Sequence, residues 1–173
     1  MVNINGEKVT LRAVEPADID ALYQWENQTD LWHISGTASP FSHHTLSMFI
    51  EAQRQDIFLS RQMRLMICRR EDLEAVGALD IFEFDVLNQR AGVGIMVAGA
   101  FQRCGYGADA LAAVERYAAD FLRIHQLWCN VEEDNLASLS LFTSSGYKEV
   151  GRKEDWNATA SGFKAEIMLQ KIL

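Results

Sequence analysis

The residues with the clearest chemical potential form a glycine-rich loop, Gln102-Arg103-Cys104-Gly105-Tyr106-Gly107, between a predicted strand and a predicted helix. Glycine lets the backbone approach a ligand closely, and the first turn of a helix carries N–H groups without intrahelical partners. The positive end of the helix dipole favours phosphate, Arg103 adds a formal positive charge, and Gln102 supplies a side-chain amide. These residues predict a phosphate-binding site.

A dinucleotide is the first ligand to weigh for such a loop. Residues 105–110 fit the GxGxxG/A fingerprint, and Glu132 or Glu133 stands at the end of the next predicted strand, where an acidic residue would bind the ribose. A dinucleotide fold needs several more strand–helix units after the fingerprint. Here only one helix and two strands follow the first crossover, so the topology argues against a dinucleotide.

Two helices and several strands are predicted before the loop. Lys8 to Val14 alternates as a strand, and Glu15-Pro16-Ala17-Asp18 opens a first helix. Ser42 caps a second helix that runs to about Arg54. Segments from Met63 to Val97 then alternate as consecutive antiparallel strands. The loop is therefore expected at the end of the last of these strands.

After the loop, the pattern changes to a strand–helix–strand crossover. The remaining predicted elements are a helix from about 105 to 123, a strand at 127–131, a helix at 135–145 ended by Gly146, and strands at about 148–156 and 163–172. Strands on both sides of one crossover predict an α+β fold with a mixed, mostly antiparallel central sheet and about four helices. The length of 173 residues fits a single domain over 1–173.

Composition limits which partners the protein can bind and where in the cell it is expected. The net charge of −8 argues against nucleic acid, because phosphate binding needs a basic surface. The longest mostly apolar run, Ala91 to Phe101, is too short and too glycine-rich to span a membrane. The N-terminal residues lack the pattern of a secretory signal. We therefore expect a cytoplasmic protein that binds neither nucleic acid nor membrane.

The cysteines and histidines indicate neither disulfides nor a metal site. Cys68, Cys104 and Cys129 contain no CxxC pair and read as reduced, mostly buried thiols, with Cys104 expected to pack rather than to act as a nucleophile. His33 and the pair His43-His44 lack metal-ligand spacing. No metal is expected.

Two motifs in fixed order resemble those of the GCN5-related N-acetyltransferases (GNAT superfamily). The glycine loop resembles their pyrophosphate-binding Q/R-x-x-G-x-G/A motif, and residues 135–147, Asn-Leu-Ala-Ser-Leu-Ser-Leu-Phe-Thr-Ser-Ser-Gly-Tyr, resemble their N-x-x-S/A-x-x-L-Y-x-K-x-G-F motif. The N-terminal strand and the C-terminal region are similar to the ribosomal-protein and polyamine acetyltransferase branch. The resemblance covers nearly the whole chain and implies a sheet with a splayed parallel strand pair.

The resemblance implies acetyl-coenzyme A as the acetyl donor. The strand before the loop would give main-chain contacts to pantetheine through Ile95, Met96 and Val97, and the N–H groups from Gln102 through Gly107 would hold the pyrophosphate. Asn135 would hydrogen-bond the pantetheine arm and Ser138 could add a contact. Asn is also a strong helix N-cap, so Asn135 is interpreted as either or both.

The resemblance also implies direct transfer to a primary amine, although the catalytic residues do not all match. A base must remove a proton from the charged amine, and Glu83 is the first candidate, with Asp80 the second. The family tyrosine that acts as the acid is replaced by Phe142, and the motif lysine by Ser144. A water, Ser138, Ser144 or Tyr147 could replace that acid. A catalytically weak acyl-coenzyme A-binding module is the alternative function.

The acceptor is expected to be cationic. Glu26 and Asp30, at the end of the first helix, are predicted to bind it, and Trp25, Trp32 and Trp156 could either wall its pocket or belong to the core. A polyamine or the N-terminus of a protein, such as a ribosomal protein, would fit. Relatives are often dimers, so a homodimer is also expected.

Overall fold

The structure, a computed structural model, describes residues 4–29, 32 and 36–173. Eight strands form one sheet in the order β1-β2-β3-β4-β5-β6-β8-β7. In chain order, they are β1 (Ile4–Asn5), β2 (Val9–Ala13), β3 (Met63–Arg69), β4 (Ala75–Asp85), β5 (Arg90–Val97), β6 (Gln126–Glu132), β7 (Lys148–Thr159) and β8 (Gly162–Ile172).

Five α-helices lie in the described part of the chain, together with 3-10 turns at Pro16–Asp18 and Gly99–Phe101. The helices are α1 (Ile19–Glu26), α2 (His43–Ala52), α3 (Ile57–Ser60), α4 (Tyr106–Asp120) and α5 (Leu136–Ser144). The one-turn helix α3 and the two-residue strand β1 were not predicted, because neither is long enough to show a periodic pattern. No helix within the described ranges is long and apolar enough to cross a membrane.

The parallel pair is β5 with β6, and each of the other neighbouring strand pairs is antiparallel. The helix α4 forms the crossover between the two parallel strands, as the sequence predicts. The predicted α+β fold with a mixed, mostly antiparallel sheet is thereby confirmed. The glycine loop lies at the end of β5, where the crossover begins.

The two faces of the sheet bury different clusters of apolar side chains. On one face, odd-numbered residues of β3 such as Leu65 and Ile67 pack in the main core with Leu111 and Val114 of α4. The second cluster, on the side of α1 and α2, comprises Val14, Leu22, Leu46, Ile50, Met66 and Cys68. Successive side chains of β3 therefore pack alternately in the main core and in the second cluster.

The side chain of Ser42 caps α2, as predicted, by accepting a hydrogen bond from the Thr45 N–H at 3.0 Å. The second predicted end signal, Gly146, has a φ of 92°, which glycine adopts at little cost when it follows a helix. These local signals placed the ends of α2 and α5 within two residues of their observed positions.

The ring of Phe82 covers the point where β5 and β6 meet. Phe82 lies opposite Gly92 on β5, and its ring contacts Trp128 of β6 edge-on with the centroids 5.3 Å apart. A Cβ on Gly92 would overlap the Phe82 ring. Gly92 is therefore required by close packing and not by backbone conformation.

Replacing Gly92 by alanine should destabilise the fold. The added methyl group would displace the Phe82 ring from Trp128, and overpacking of this kind costs about 1–3 kcal/mol. Urea unfolding would measure the free energy of unfolding. The matched control is Gly151→Ala on β7, where a Cβ would meet only the Cβ of Met168 at 4.0 Å and should cause no loss. Equal stability of the two variants would contradict this account of Gly92.

Candidate functional site

The site begins where β5 and β6 separate. Their parallel pairing covers Arg90–Gln126, Ala91–Leu127 and Gly92–Trp128 and then stops, although β5 continues to Val97 and β6 to Glu132. Residues 93–97 of β5 remain paired with β4 on their other side only. The five-residue open edge spans roughly 16 Å at about 3.3 Å per residue. We call this opening the wedge.

The predicted pantetheine contacts Ile95, Met96 and Val97 all lie along the open edge of β5. An unpaired strand edge presents backbone N–H and C=O groups that an extended ligand can bind. The open edge of β5 therefore includes the predicted residues, although the Val97 carbonyl already accepts a hydrogen bond from Gln102. The pantetheine contacts themselves remain a prediction.

The glycine loop closes the wide end of the wedge. Arg103 has a φ of 62° and Gly105 a φ of 83°, and Gly105 is the N-cap of α4. The Gln102 side chain donates to the Val97 carbonyl at 3.0 Å, so it ties the loop back to the end of β5. Consecutive N–H groups in such a turn form an anion-binding concavity, and the N-terminus of α4 adds its own donors.

A turn between β1 and β2 holds the loop and α4 from another direction. The Asp109 carboxylate, in the first turn of α4, accepts hydrogen bonds from the backbone N–H groups of Glu7, Lys8 and Val9 at 2.8, 2.7 and 2.9 Å. The Lys8 ammonium donates to the Cys104 carbonyl at 3.0 Å. Burial raises the pKa of Asp109, but these donors and nearby Arg116 outweigh it and hold that pKa below its ordinary value.

Asn135 lies just beyond β6, across the wedge from β5. Its side-chain oxygen accepts a hydrogen bond from the Ser138 N–H at 3.1 Å, so it caps α5. The cap uses the oxygen and leaves the amide N–H₂ of Asn135 available to a ligand. Ser138 is half-buried in the first turn of the same helix. The capping role expected for Asn135 is thus present, and its predicted ligand contact remains a prediction.

Phe142, at the family's acid position, is 2% exposed and belongs to the main core. Its ring contacts Tyr147 edge-on, with the centroids 5.0 Å apart. Tyr147 is itself buried, and burial raises the pKa of its hydroxyl above the ordinary value. The Ser144 hydroxyl is bonded to the Leu141 carbonyl at 3.0 Å. Of the other candidate replacements, the Tyr147 hydroxyl is buried with no hydrogen-bond partner in the described chain, and the half-buried Ser138 hydroxyl makes no bond there either.

Glu83 lies at an irregularity in β4. The register with β5 shifts between Phe82 and Asp85, and Glu83 is exposed with a φ of 48°. Non-glycine residues in this conformation are uncommon, and bulges of this kind are frequent beside active sites. Because Phe82 is the partner of Gly92, Glu83 lies at the narrow end of the wedge.

The bulge also breaks the alternation of side chains along β4. Leu79 and Ile81 pack in the main core, and beyond the bulge Phe84 joins the same core. Because of the bulge, the number of residues between Asp80 and Glu83 does not determine whether their side chains lie on the same face of the sheet. Asp80 lies opposite Gly94 of β5, alongside the wedge.

Arg64 binds two of the predicted carboxylates. Its Nε and one Nη donate to the two oxygens of Asp80 at 2.7 and 2.9 Å, and its other Nη donates to Glu26. The side chains of Arg64, Glu26 and Asp80 are 19%, 21% and 34% exposed. Burial lowers the pKa of Arg64, but the hydrogen bonds and charges of Asp80 and Glu26 outweigh it and raise that pKa. Asp30, the other predicted acceptor residue, lies outside the described residues.

A cavity of about 210 Å³ opens beside this ion cluster. Its lining combines aromatic, polar and charged side chains: Phe49, Gln53, Gln62, Met63, Arg64, Asp80, Ile81 and Phe82. The guanidinium of Arg64 also lies over the Phe49 ring, 4.9 Å from its centroid. Three residues of β4, Asp80, Ile81 and Phe82, line this cavity. Since β4 is the neighbour of β5 in the sheet, the cavity lies close to the wedge.

Arg64 was not among the predicted site residues. Arg64 and Asp80 are direct cross-strand partners in the β3–β4 pairing. Opposite charges on neighbouring antiparallel strands form such pairs, so a register assigned to the two predicted strands would have found this one.

The tryptophans and Cys104 differ in part from expectation. Trp25 packs on the second cluster, the Trp32 indole donates to the Glu26 carbonyl at 2.8 Å, and Trp156 is 58% exposed on the β7–β8 hairpin. All three cysteines are free thiols. Cys104 is exposed on the glycine loop, so the packing role predicted for it was wrong. Cys129 is buried, and burial raises the pKa of its thiol to about 12.

Comparison with protein-family profiles gives a match to the acetyltransferase (GNAT) domain over residues 8–148. The chain belongs to the GNAT acetyltransferase family. The matched range includes the wedge, the glycine loop and α5, so the site described above lies within the family's domain. A search of curated proteins by sequence gave no match.

Solved structures share the fold of this GNAT domain at low sequence identity. A spermidine N-acetyltransferase from Vibrio cholerae, in complex with CoA and spermine, has a TM-score of 0.85 at 16% identity, covering 95% of each chain. A proposed ribosomal-protein-serine acetyltransferase from the same organism has a TM-score of 0.78 at 22% identity, covering 99% of this chain and 98% of that one. A GNAT acetyltransferase from Bacillus anthracis has a TM-score of 0.80 at 13% identity, covering 99% and 98%. At these identities the likeness establishes the fold.

The two roles of Asn135 in this GNAT domain can be separated by substitution. Asn135→Ala should cost about 1 kcal/mol of stability through loss of the cap, whereas serine caps as well as asparagine and Asn135→Ser should cost little. Because both variants lack the amide, both should weaken coenzyme A binding. Urea unfolding and calorimetric titration with coenzyme A would measure the two effects. If Asn135→Ser binds coenzyme A as tightly as the wild type, Asn135 is only a cap.

Proposed function

We propose that this GNAT protein transfers an acetyl group from acetyl-coenzyme A directly to a primary amine. The observation that carries the proposal is the wedge, with an open strand edge on one side, the amide of Asn135 on the other and the glycine loop at its wide end. An extended thioester with a pyrophosphate at one end has the shape and the hydrogen-bonding groups to fill this arrangement.

The polarity of the site orients the donor. The pyrophosphate belongs at the loop, where backbone N–H groups and the N-terminus of α4 converge. The pantetheine arm would then run along residues 97 to 93 towards the Phe82–Gly92 pair. Its thioester end would lie near the narrow end of the wedge, which is also the end nearest Glu83.

Glu83 is proposed as the general base. The acceptor reaches the enzyme as an ammonium ion, and Glu83, directly or through one water, takes its proton. The neutral nitrogen attacks the thioester carbonyl and the C–N bond forms. The C–S bond then breaks, and the second proton that the nitrogen loses passes through water to the departing thiolate. Asp80 is a weaker candidate, because both of its oxygens already accept hydrogen bonds from Arg64.

The cavity beside Asp80 and Arg64 is proposed as the acceptor site. It contains aromatic side chains and a carboxylate, the groups that attract an ammonium ion, and an acceptor there would compete with Arg64 for Asp80 and the Phe49 ring. Glu26 borders the same ion cluster through Arg64, so an acceptor at Glu26 competes with that guanidinium. The named functions of the similar structures suggest two acceptor classes: a polyamine, or the N-terminus of a protein such as a ribosomal protein.

A catalytically weak acyl-coenzyme A-binding module is the second candidate, and the burial of Phe142 favours it. The position offers no hydroxyl, and Phe142 is buried against Tyr147 in the main core. Coenzyme A thiolate is a fairly good leaving group, so the first proposal does not depend on an acid at this position.

The two candidates differ in turnover. With acetyl-coenzyme A as donor, we expect thiol release to rise above the hydrolysis background on addition of spermidine or of a peptide with an N-terminal serine. A thiol-reactive dye would follow the release, and mass spectrometry of the amine would confirm an added acetyl group. Tight coenzyme A binding with no turnover on either class of amine would instead support the binding module.

Replacing Glu83 by glutamine should lower kcat by about 100-fold or more, since general bases contribute factors of this size. The KM for acetyl-coenzyme A should change little, because the donor is held elsewhere. Glu71→Gln, at an exposed turn residue, is the matched control and should retain wild-type kcat. If Asp80→Asn loses kcat and Glu83→Gln does not, Asp80 replaces Glu83 as the base.

A further inference from the structure

We propose that the β1–β2 turn is a positioning element for the coenzyme pyrophosphate, acting through Lys8 on the glycine loop and through Asp109 on the first turn of α4. The inference rests on the proposed function, because it concerns the same donor site. Lys8 and Asp109 are positioning residues: neither is required to touch the coenzyme.

Lys8 fixes the orientation of one peptide unit in the loop. In a trans peptide the C=O and the following N–H point in opposite directions. The Lys8 ammonium binds the Cys104 carbonyl at 3.0 Å, so the N–H of Gly105 is directed away from Lys8. Within the described chain, the N–H groups of Arg103, Cys104 and Gly105 have no acceptor. Lys8 therefore holds the Cys104 carbonyl on one side of the loop and leaves the Gly105 N–H on the other side.

The ammonium also strengthens the donor that it orients. A cation on a carbonyl oxygen polarises the peptide unit and makes its N–H a better hydrogen-bond donor. Gly105 allows the close approach: a Cβ there would lie 3.0 Å from the Lys8 nitrogen, and the φ of 83° is one that other residues rarely adopt.

Asp109 anchors the helix end of the same loop. Its carboxylate accepts three backbone N–H groups from residues 7–9, which keeps the negative charge directed at the turn and not at the anion site. A Cβ on Gly6 would overlap this carboxylate, so the turn closes on Asp109 only because residue 6 is glycine. The Gly6 N–H is bonded to the Val9 carbonyl at 2.8 Å, which completes the turn.

The β1–β2 turn therefore forms hydrogen bonds on both sides of the N-cap Gly105: with Cys104 in the loop and with Asp109 in the first turn of α4. A glycine-rich loop left free would lose conformational freedom on binding phosphate, and that loss would weaken the affinity. Two attachments from one rigid turn remove part of this loss before the coenzyme arrives.

Charge attraction alone would make a different prediction. Loss of the Lys8 charge weakens phosphate binding under either explanation. Loss of the Asp109 charge should strengthen phosphate binding if only long-range charge matters, since a negative group disappears near the phosphates. If Asp109 positions the loop, its loss should weaken binding. The sign of the Asp109→Asn effect therefore distinguishes the two explanations.

The experiment measures coenzyme A binding by calorimetry for the full-length wild type, Lys8→Met, Lys8→Arg and Asp109→Asn. We expect Lys8→Met and Asp109→Asn to raise Kd by about five- to tenfold, the size expected when one charge-assisted hydrogen bond is lost, and Lys8→Arg to recover part of the loss. The matched controls Lys148→Met on β7 and Asp120→Asn at the end of α4 are exposed and should stay within about twofold of the wild type.

A truncated donor separates positioning from general damage to the fold. S-acetylpantetheine lacks the pyrophosphate, so kcat/KM for this donor should be unchanged in the variants while the KM for acetyl-coenzyme A rises. A parallel loss with both donors would overturn the inference, as would an unchanged or lower coenzyme A Kd in Asp109→Asn. A wild type that binds no coenzyme A would overturn the proposed function and the inference together. A wild type that binds and turns over, with variants that match it, would overturn the inference alone.

Discussion

The departure of β6 from β5 after the Gly92–Trp128 pair is the constraint on which the rest of the site depends. Along residues 93–97, backbone groups that would otherwise pair with β6 are left without a strand partner on that side. A globular protein rarely leaves such an edge inside its sheet, because an unpaired buried donor or acceptor is costly. In the proposed function, the pantetheine arm would complete this edge. Phe82 packs on Gly92 and Trp128 at the point where the opening starts.

Much of the fold, including the glycine loop at the start of α4 and the two helix caps, could be predicted from the sequence because the signals are local. The glycine loop, the cap at Asn135 and the Ser42 cap each occupy a few consecutive residues, and their physical preferences act within one turn. The parallel pair followed from the single crossover. What these signals could not give was the exact extent of the pairing, which determines where the wedge begins.

The remaining features depend on contacts between distant parts of the chain. The ion pair of Arg64 with Glu26 joins β3 to the end of α1, and the contacts of Lys8 and Asp109 join the first strands to α4. No local pattern carries this information, since it arises only when the sheet is assembled. The bulge at Glu83 is a third case: period-two alternation is a rule for regular strands, and one inserted residue cancels it.

The division of apolar side chains into two clusters has a consequence for how the molecule fluctuates. The glycine loop and α4 rest on the main core, whereas α1 and α2 rest on the smaller cluster of Val14, Leu22, Leu46, Ile50, Met66 and Cys68. Fewer buried apolar contacts hold the smaller cluster, so we expect α1 and α2 to open at a lower free energy than the main core. The layer over the ion cluster can thus open and reclose while the donor side stays folded. Under the proposed function, the amine would bind to a surface that opens transiently, and the coenzyme to one that stays folded.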